Sequence, residues 1–277
     1  MHLVMILAAM ALALVVRLIT PKSTGNWSQR WHKSLFLFLF PPLLLMMTAL
    51  AIVCMGADGQ MLGLKASWLG YGLGSMFLVI AAVLLFQSAH QAWQSQQEIG
   101  NYPQEYIQGK KARILETNLP YSAQIGLWQP HLVISQGLLA LLNEEHLEAV
   151  LAHEQAHLEY RDTFCFFWLG WLRSLTTWLP NTENLWQELL LLREIRADRR
   201  ATKQVDSLVL AESLLSVAQF PMESSVSFCA PLGSSCLTQR IDSLMENETH
   251  SSNAPSYWSW MWVLLVLIPW ATIPLHY

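Results

Sequence analysis

Residues 150–162 read VLAHEQAHLEYRD and contain the pattern HExxH. His153 and His157 are four positions apart, so in a helix both imidazoles lie on one face and can bind one metal ion. Glu154 stands beside them, within reach of a metal-bound water. Neutral imidazole binds zinc well, and catalytic zinc takes about three protein ligands and a water. The segment therefore predicts a zinc site with Glu154 as its catalytic general base.

The start and the apolar spacing of this segment predict a helix. Asn143 is a favourable N-cap, and the carboxylates of Glu144 and Glu145 suit the positive first turn of a helix. Apolar residues then recur at helical spacing, at Leu147, Val150, Leu151 and Leu158. A capped, amphipathic helix is the context that an HExxH site requires.

A second acidic motif, LREIRAD at 192–198, follows on the next predicted long helix. Glu194 and Asp198 are four positions apart, so their carboxylates share a helix face. We interpret Glu194 as the third metal ligand and Asp198 as an acceptor for the outer N–H of a ligand imidazole. The alternative is a solvated face on which both pair with nearby arginines, and the HExxH motif favours the ligand interpretation.

Other polar residues near the motifs receive lesser roles. Asp162, five residues after His157, is a candidate for orienting a neighbouring group or for pairing with Arg161. Arg240 is interpreted as part of a salt bridge rather than as a substrate contact. His146 and His131 are expected to be ordinary surface residues.

The composition indicates that part of the chain faces lipid. Hydrophobic residues make up 53% of the 277 residues, charged residues only 13%, and the mean hydropathy is +0.31. Soluble domains carry about 25% charged residues. The net charge of −4 and the lack of a basic run argue against direct binding of nucleic acid.

Four apolar stretches approach the roughly 20 residues that a bilayer span needs. They are about 1–19, 35–55, 68–86 and 257–277. A signal peptide is the alternative for the first stretch, but a basic start and a clear cleavage site are lacking. The shorter run 164–179 contains Arg173 and is interpreted as a buried or interfacial helix.

The spans divide the chain into a membrane region at 1–86, a zinc metallopeptidase domain at 87–256 and a fourth span at 257–277. Basic residues concentrate in the connection between the first two spans, which predicts that this loop is cytoplasmic. The domain is then cytoplasmic, and both termini lie outside an inner or plasma membrane. The cysteines are interpreted as reduced, with a Cys229–Cys236 disulfide left open.

The predicted fold is α+β and mainly α, with a zincin-like domain between the third and fourth transmembrane helices. Short strands are predicted at 110–117, 123–126 and 131–134. Beyond the HExxH helix, helices are predicted at about 182–203, 206–220 and 237–246.

At VLAHEQAHLEYRD and LREIRAD the chain resembles the BlaR/MecR-type membrane metallopeptidases, receptor proteases that respond to beta-lactams by inactivating a repressor. The segment IGLWQPHLVIS at 125–135 resembles the edge-strand region of that family. The resemblance implies three spans, a cytoplasmic zinc domain and a fourth span. Those receptors continue into an external penicillin-binding sensor, whereas this sequence stops at Tyr277, so beta-lactam sensing is not expected.

These observations predict a zinc endopeptidase in a lipid bilayer, acting on a cytosolic or membrane-associated protein. A regulatory, signalling role with a transcriptional repressor as substrate is the first hypothesis. The second is an HtpX/Ste24-type quality-control protease, a group that shares both motifs but places spans between them. A catalytically silent membrane scaffold is the third. The substrate would lie extended along an edge strand near 125–134.

Overall fold

The computed structural model describes residues 1–18, 26–61, 64–220, 234–245 and 262–275. It is mainly helical with a small mixed sheet, as the predicted α+β class requires. The chain divides into two compact units. One comprises residues 1–88, 169–189 and 252–277, and the other comprises 89–168 and 190–251. The predicted metallopeptidase segment at 87–256 therefore contributes residues to both units.

The first unit contains long apolar helices, the last of which continues into the second unit beyond residue 88. Helix α1 is His2–Leu18, α2 is Trp27–Met55, a short hairpin joins β1 Gln60–Met61 to β2 Leu64–Lys65, and α3 is Trp68–Gly100. Helix α1 packs along α2. Ala9 of α1 shares a buried cluster with Phe40, Leu44 and Leu45 of α2.

Within the described residues, two helices are long and apolar enough to cross a bilayer, namely α2 and α3. In α2 the most apolar stretch is 61% buried, whereas in α3 it is only 17% buried. A helix in the core of a soluble protein is buried, so the exposure of α3 is the observation that suggests a membrane protein. Its exposed large apolar side chains are Trp68, Leu69, Leu73, Met76, Val79, Ile80, Val83, Phe86 and Trp93.

The other two predicted spans are not established. Helix α1 has 17 residues and is a shorter apolar helix. The described part of the predicted fourth span is broken into α10 Trp262–Val266, α11 Ile268–Ala271 and a 3₁₀ turn at Ile273–Leu275. Pro269 and Pro274 explain the breaks, because proline lacks the N–H that a continuous helix needs.

The second unit holds a four-stranded sheet in the order β3-β4-β6-β5. The strands are β3 Gln104–Ile107, β4 Lys110–Leu115, β5 Ser122–Ile125 and β6 His131–Ser135. Strand β6 pairs in parallel with β4 and antiparallel with β5. The prediction of an edge strand at 125–134 is therefore wrong for most of that range. Strand β6 is an interior strand, and the edge strand beside it is β5.

In the described residues, six helices follow the sheet before residue 246. In the second unit they include α4 Gln136–Leu141, α5 Glu144–Glu159, α8 Ser207–Ala218 and α9 Ser234–Met245. Helices α6 Asp162–Leu175 and α7 Thr182–Ala201 contribute to both units. The predicted N-cap is confirmed, since the Asn143 side chain accepts a hydrogen bond from the backbone N–H of His146 at 2.8 Å.

Helix α5 is packed on two sides, which fixes the direction in which its third side faces. Leu147, Val150 and Leu151 pack against Leu132 and Ile134 of β6. On another side, Ala149 and Ala152 pack against α7, α8 and α9 through Ala201, Leu210, Ala211 and Leu244. The remaining side carries His153 and His157.

We expect Gly137→Ala to destabilise the fold. A Cβ at position 137 would lie 2.1 Å from the backbone carbonyl oxygen of Asn118, so the backbone must move. Overpacking of this kind costs roughly 1–3 kcal/mol. Thermal unfolding in detergent measures the effect, with Gly100→Ala as the control, because a Cβ there meets nothing within 4 Å. Equal melting temperatures for the two variants would contradict this prediction.

Candidate metal centre

The two imidazoles of α5 face each other across the predicted metal position. The Nε2 atoms of His153 and His157 lie 3.0 Å apart, and the two rings meet edge to face at an interplanar angle of 84°. Both side chains are nearly enclosed, with relative exposures of 10% and 11%. One helix turn thus presents two nitrogen donors to a single point.

Helix α7 brings Glu194 to the same point. Its Oε2 lies 3.3 Å from Nε2 of His153, and its Oε1 lies 3.7 Å from Nε2 of His157. The three donor atoms all fall within 4.8 Å of one another, and all three residues are buried. A set of two imidazole nitrogens and one carboxylate oxygen is a set that catalytic zinc uses.

Asp198 supports His153 from the side opposite the donor atoms. Its Oδ1 lies 2.8 Å from Nδ1 of His153, so the Nε2 atom of the ring faces the point where the donor atoms converge. Asp198 is fully buried and is held by Arg240 of α9, whose Nε and Nη2 each donate a hydrogen bond of 2.8 Å. Arg240 also lies 3.4 Å from Oε2 of Glu194 through Nη1. The salt bridge predicted for Arg240 is thus formed with Asp198 and Glu194, two carboxylates of the metal centre.

Asp162 supports His157 in the same way. The chain turns sharply at Arg161, whose φ is 52°, and Asp162 then begins α6. Its Oδ2 accepts a hydrogen bond from Nδ1 of His157 at 2.7 Å, and its Oδ1 pairs with Nη2 of Arg196. The structure therefore brings Asp162 to a ligand imidazole and pairs it with Arg196 instead of Arg161.

The three carboxylates that contact the imidazoles, those of Glu194, Asp198 and Asp162, each have an arginine partner. Arg193 donates to Oε1 of Glu194 at 2.9 Å and 2.7 Å, and its guanidinium lies 4.9 Å from the ring centre of Phe166. The hypothesis of a solvated charged face is wrong for Glu194 and Asp198, because both side chains are buried. It holds only further along α7, where Arg200 pairs with the half-exposed Glu159 at 2.8 Å.

The charges around the imidazoles set their protonation before a metal binds. Burial lowers the pKa of His153, but attraction and hydrogen bonding from Asp198 and Glu194 outweigh it and raise the pKa to about 10. Burial also opposes charge on His157, and Glu194 and Asp162 raise its pKa overall. Burial raises the pKa of Glu194, but Arg193 and the two histidines hold that pKa well below its ordinary value. The carboxylates therefore stabilise the charged form of both imidazoles, and the imidazoles in turn stabilise the charged form of Glu194.

Glu154 lies on α5 next to the first ligand and is buried. The Ser122 hydroxyl of the edge strand β5 donates a hydrogen bond of 2.8 Å to its Oε1. One carboxylate oxygen is thus held by the strand, and the carboxylate is available to handle protons beside the donor cluster.

His146 and His131, which were expected to be surface residues, lie outside this cluster. The His146 ring contacts Asn143 Oδ1 at 2.6 Å and Glu212 at 3.3 Å, both near the start of α5. His131 begins β6 opposite Ile125.

Sequence reasoning did not assign a site role to Ser122, Arg193 or Arg196. Ser122 had no signal, because its partner is 32 positions away. Arg193 and Arg196 lie within the acidic motif. Their spacing predicts ion pairs with carboxylates but does not show whether such a pair is buried or solvated.

An HExxH pair joined by a glutamate from a later helix defines the site of a metal-dependent peptidase. The sequence profile of Peptidase family M48 matches residues 111–223, a range that holds all four of His153, Glu154, His157 and Glu194. This match supports a membrane-type metallopeptidase, a hydrolase of peptide bonds. It does not support the BlaR/MecR-type assignment in particular and is equally compatible with the HtpX/Ste24-type alternative. No curated protein sequence matches the chain.

Arg240→Met should destabilise the protein strongly, because Asp198 and Glu194 would keep buried negative charge without this counter-charge. Breaking a buried pair of this kind costs about 3–5 kcal/mol. Arg200→Met is the matched control, since its exposed pair with Glu159 contributes about 1 kcal/mol or less. Unfolding in detergent measures both variants, and Asp198→Asn added to Arg240→Met should recover part of the loss. Similar losses for Arg240→Met and Arg200→Met would contradict the role of Arg240.

Metal binding should release about one proton or more at pH 7.5. The pKa of His153 is raised from 6.5 to about 10, so the folded protein keeps this proton between those values and must give it up to a metal. Release should fall toward zero as the pH rises through 10. Calorimetric titration with zinc in buffers of different ionisation enthalpy measures the proton count, and Asp198→Asn should lower it at pH 8.5. A count of zero at pH 7.5 would contradict the raised pKa.

Proposed function

We propose that this protein is a membrane-associated zinc endopeptidase that hydrolyses peptide bonds in a cytosolic or membrane-associated protein. The observation that carries the proposal is the convergence of His153, His157 and Glu194 on one buried point, with Glu154 beside it. The M48 match over 111–223 supports the same reaction class.

The three donor residues would hold the ion, and zinc bound there would act as a Lewis acid and lower the pKa of a coordinated water. Glu154 takes a proton from the attacking water and passes it to the leaving nitrogen of the peptide bond. Ser122 fixes the Glu154 carboxylate from the strand side. Asp198 and Asp162 keep the two imidazoles in the tautomer that points Nε2 inward.

The peptide substrate would pair with the free edge of β5. Ser135 N–H bonds to Tyr121 carbonyl oxygen at 2.9 Å, so Tyr121 and Ser135 form a hydrogen-bonded pair at the start of the β5–β6 ladder. Hydrogen-bonded pairs alternate along an antiparallel ladder, which leaves the N–H and C=O groups of Ser122 and Gln124 directed away from β6. In the described part of the chain β5 pairs with β6 alone, so these groups are available to an extended peptide.

The exposed apolar side chains of α3 support anchoring in a bilayer. The distribution of basic residues supports a cytoplasmic domain with both termini outside. Within this frame we propose a regulatory protease of the BlaR/MecR type with a repressor as substrate. A quality-control protease of the HtpX/Ste24 type is the second candidate, favoured by the compatibility of the M48 match with it.

Glu154→Gln should abolish cleavage of an unfolded test protein, such as casein, and should retain the metal. The amide cannot accept the proton from water, while both imidazoles and Glu194 stay in place. Metal analysis of detergent-purified protein should find about one zinc per chain in the wild type and in Glu154→Gln, and little in Glu194→Ala. The Glu159→Gln variant is the control, because its side chain pairs with Arg200 outside the metal centre.

Turnover by Glu154→Gln would remove the assigned role. A wild type that binds no zinc and cleaves nothing would favour the catalytically silent scaffold.

Quantitative proteomics of cells with the wild type or Glu154→Gln separates the two enzyme roles. Accumulation of a single intact cytosolic protein supports the regulatory protease. Accumulation of many membrane proteins supports quality control.

A further inference from the structure

Four aromatic side chains form a surface cluster in the second unit, called here the aromatic cluster: Trp128, Phe164, Phe167 and Trp168. Trp128 is 76% exposed, yet its ring centre lies 5.1 Å from that of Phe164. Phe164 contacts Trp168 at 6.3 Å between ring centres, and Trp168 contacts Phe167 at 5.4 Å. Exposed aromatic groups of this kind are the side chains that proteins use to bind partners.

Phe164, on one side of the aromatic cluster, lies close in sequence to the metal centre. Phe164 stands two residues after Asp162, whose carboxylate accepts a hydrogen bond from the ligand His157 at 2.7 Å. Two residues of helix advance about 3 Å along its axis. The first turn of α6 therefore carries both the support of a metal ligand and the inner member of the aromatic cluster.

Trp128, on the other side of the aromatic cluster, lies close in sequence to the edge strand β5. Trp128 lies in the β5–β6 turn, three residues after Ile125, the last residue of β5. The turn bends sharply at Gly126, whose φ is 129° and whose position leaves no room for a side chain, since a Cβ would lie 2.9 Å from Gln129 carbonyl oxygen. The tight turn holds Trp128 close to the end of β5.

Strand β5 thus joins the general base to the aromatic cluster. Ser122, at its start, contacts Glu154, and Ile125, at its end, leads to Trp128. Three residues of strand span about 10 Å. A peptide that pairs with β5 and presents its scissile bond near Glu154 would reach the aromatic cluster three or four residues away.

We propose that the aromatic cluster is a specificity subsite that binds an apolar or aromatic side chain three or four residues N-terminal to the scissile bond. The N-terminal direction follows from antiparallel pairing, because β5 runs from Ser122 toward Ile125 and the peptide then runs the opposite way. Antiparallel pairing gives the straighter hydrogen bonds of the two arrangements. This inference rests on the proposed peptidase function and names the class of substrate sequence.

The observations favour a peptide over a lipid surface as the occupant. Trp128 lies in the turn that follows the edge strand β5. Phe164 lies two residues after Asp162, which accepts a hydrogen bond from His157. The cluster is therefore continuous with the surface that the proposed substrate occupies, and its aromatic faces suit a single apolar side chain.

The test is the cleavage of a proteome-derived peptide library by the full-length protein in detergent, with cut sites read by mass spectrometry. Wild-type cut sites should be enriched in Phe, Trp and Leu at the third or fourth position before the scissile bond. Trp128→Ala should flatten that enrichment and leave the preference next to the scissile bond unchanged. For two peptides that differ only by Trp or Ser at this position, the ratio of kcat/KM should fall roughly tenfold or more in Trp128→Ala.

Matched variants separate a subsite from general damage. Trp128→Phe should restore the preference, and Phe164→Ala should reduce it. Tyr106→Ala is the control, because Tyr106 is 66% exposed on β3, the opposite edge strand of the same sheet. It should keep the wild-type profile.

Three results would overturn the inference. If the wild type cuts peptides that Glu154→Gln spares but shows no apolar preference at these positions, the inference fails and the peptidase function stands. The inference also fails, and the peptidase function stands, if Trp128→Ala keeps the wild-type cleavage profile and brominated lipid in nanodiscs quenches the fluorescence of Trp128. The Trp128→Phe variant gives the fluorescence without this residue. This result would assign the aromatic cluster to the bilayer. If the wild type cuts nothing, both proposals fall.

Discussion

The structure of the second unit depends on the pairing of three buried carboxylates with the two ligand imidazoles and with three arginines. Glu194, Asp198 and Asp162 carry negative charge in a region where water is excluded, and burial alone strongly opposes this. Each charge is offset by an imidazole and a guanidinium at hydrogen-bond distance. Asp162 and Asp198 take their arginine partners from other helices, so these helices must dock for both charges to be fully offset.

This requirement explains why α5 is enclosed by the sheet and by α7, α8 and α9. Its two packed sides use small and branched apolar residues, which bring neighbouring backbones close. The third side carries the two imidazoles, and the supporting carboxylates arrive from α6 and α7. Arg240 arrives from α9, so a helix distant in sequence completes the charge balance of the ligand shell.

Local signals in the sequence were sufficient to select the three side chains that converge as candidate metal ligands, whereas the arrangement of strands needed long-range information. The N-cap at Asn143 and the four-residue spacings of His153–His157 and Glu194–Asp198 depend on helix geometry alone, so they could be predicted. Strand β3 was missed because its residues are mostly exposed and lack apolar alternation. The interior position of β6 was missed because it depends on pairing with β4, which no local pattern reveals. The same reason hid the contact of Ser122 with Glu154.

In the proposed mechanism, the contact between Ser122 and Glu154 would link substrate binding to proton transfer. Ser122 is a residue whose backbone groups face the free edge of β5, and its side chain holds one oxygen of the general base. A peptide that pairs with this edge contacts the same residue that orients Glu154. In the proposed binding mode, strand pairing would fix the peptide and the base against one common element, which is the condition for placing a scissile carbonyl reproducibly within reach of both. The geometry of the edge strand, together with the ligand motif, would then determine which bond along an extended chain is presented for hydrolysis.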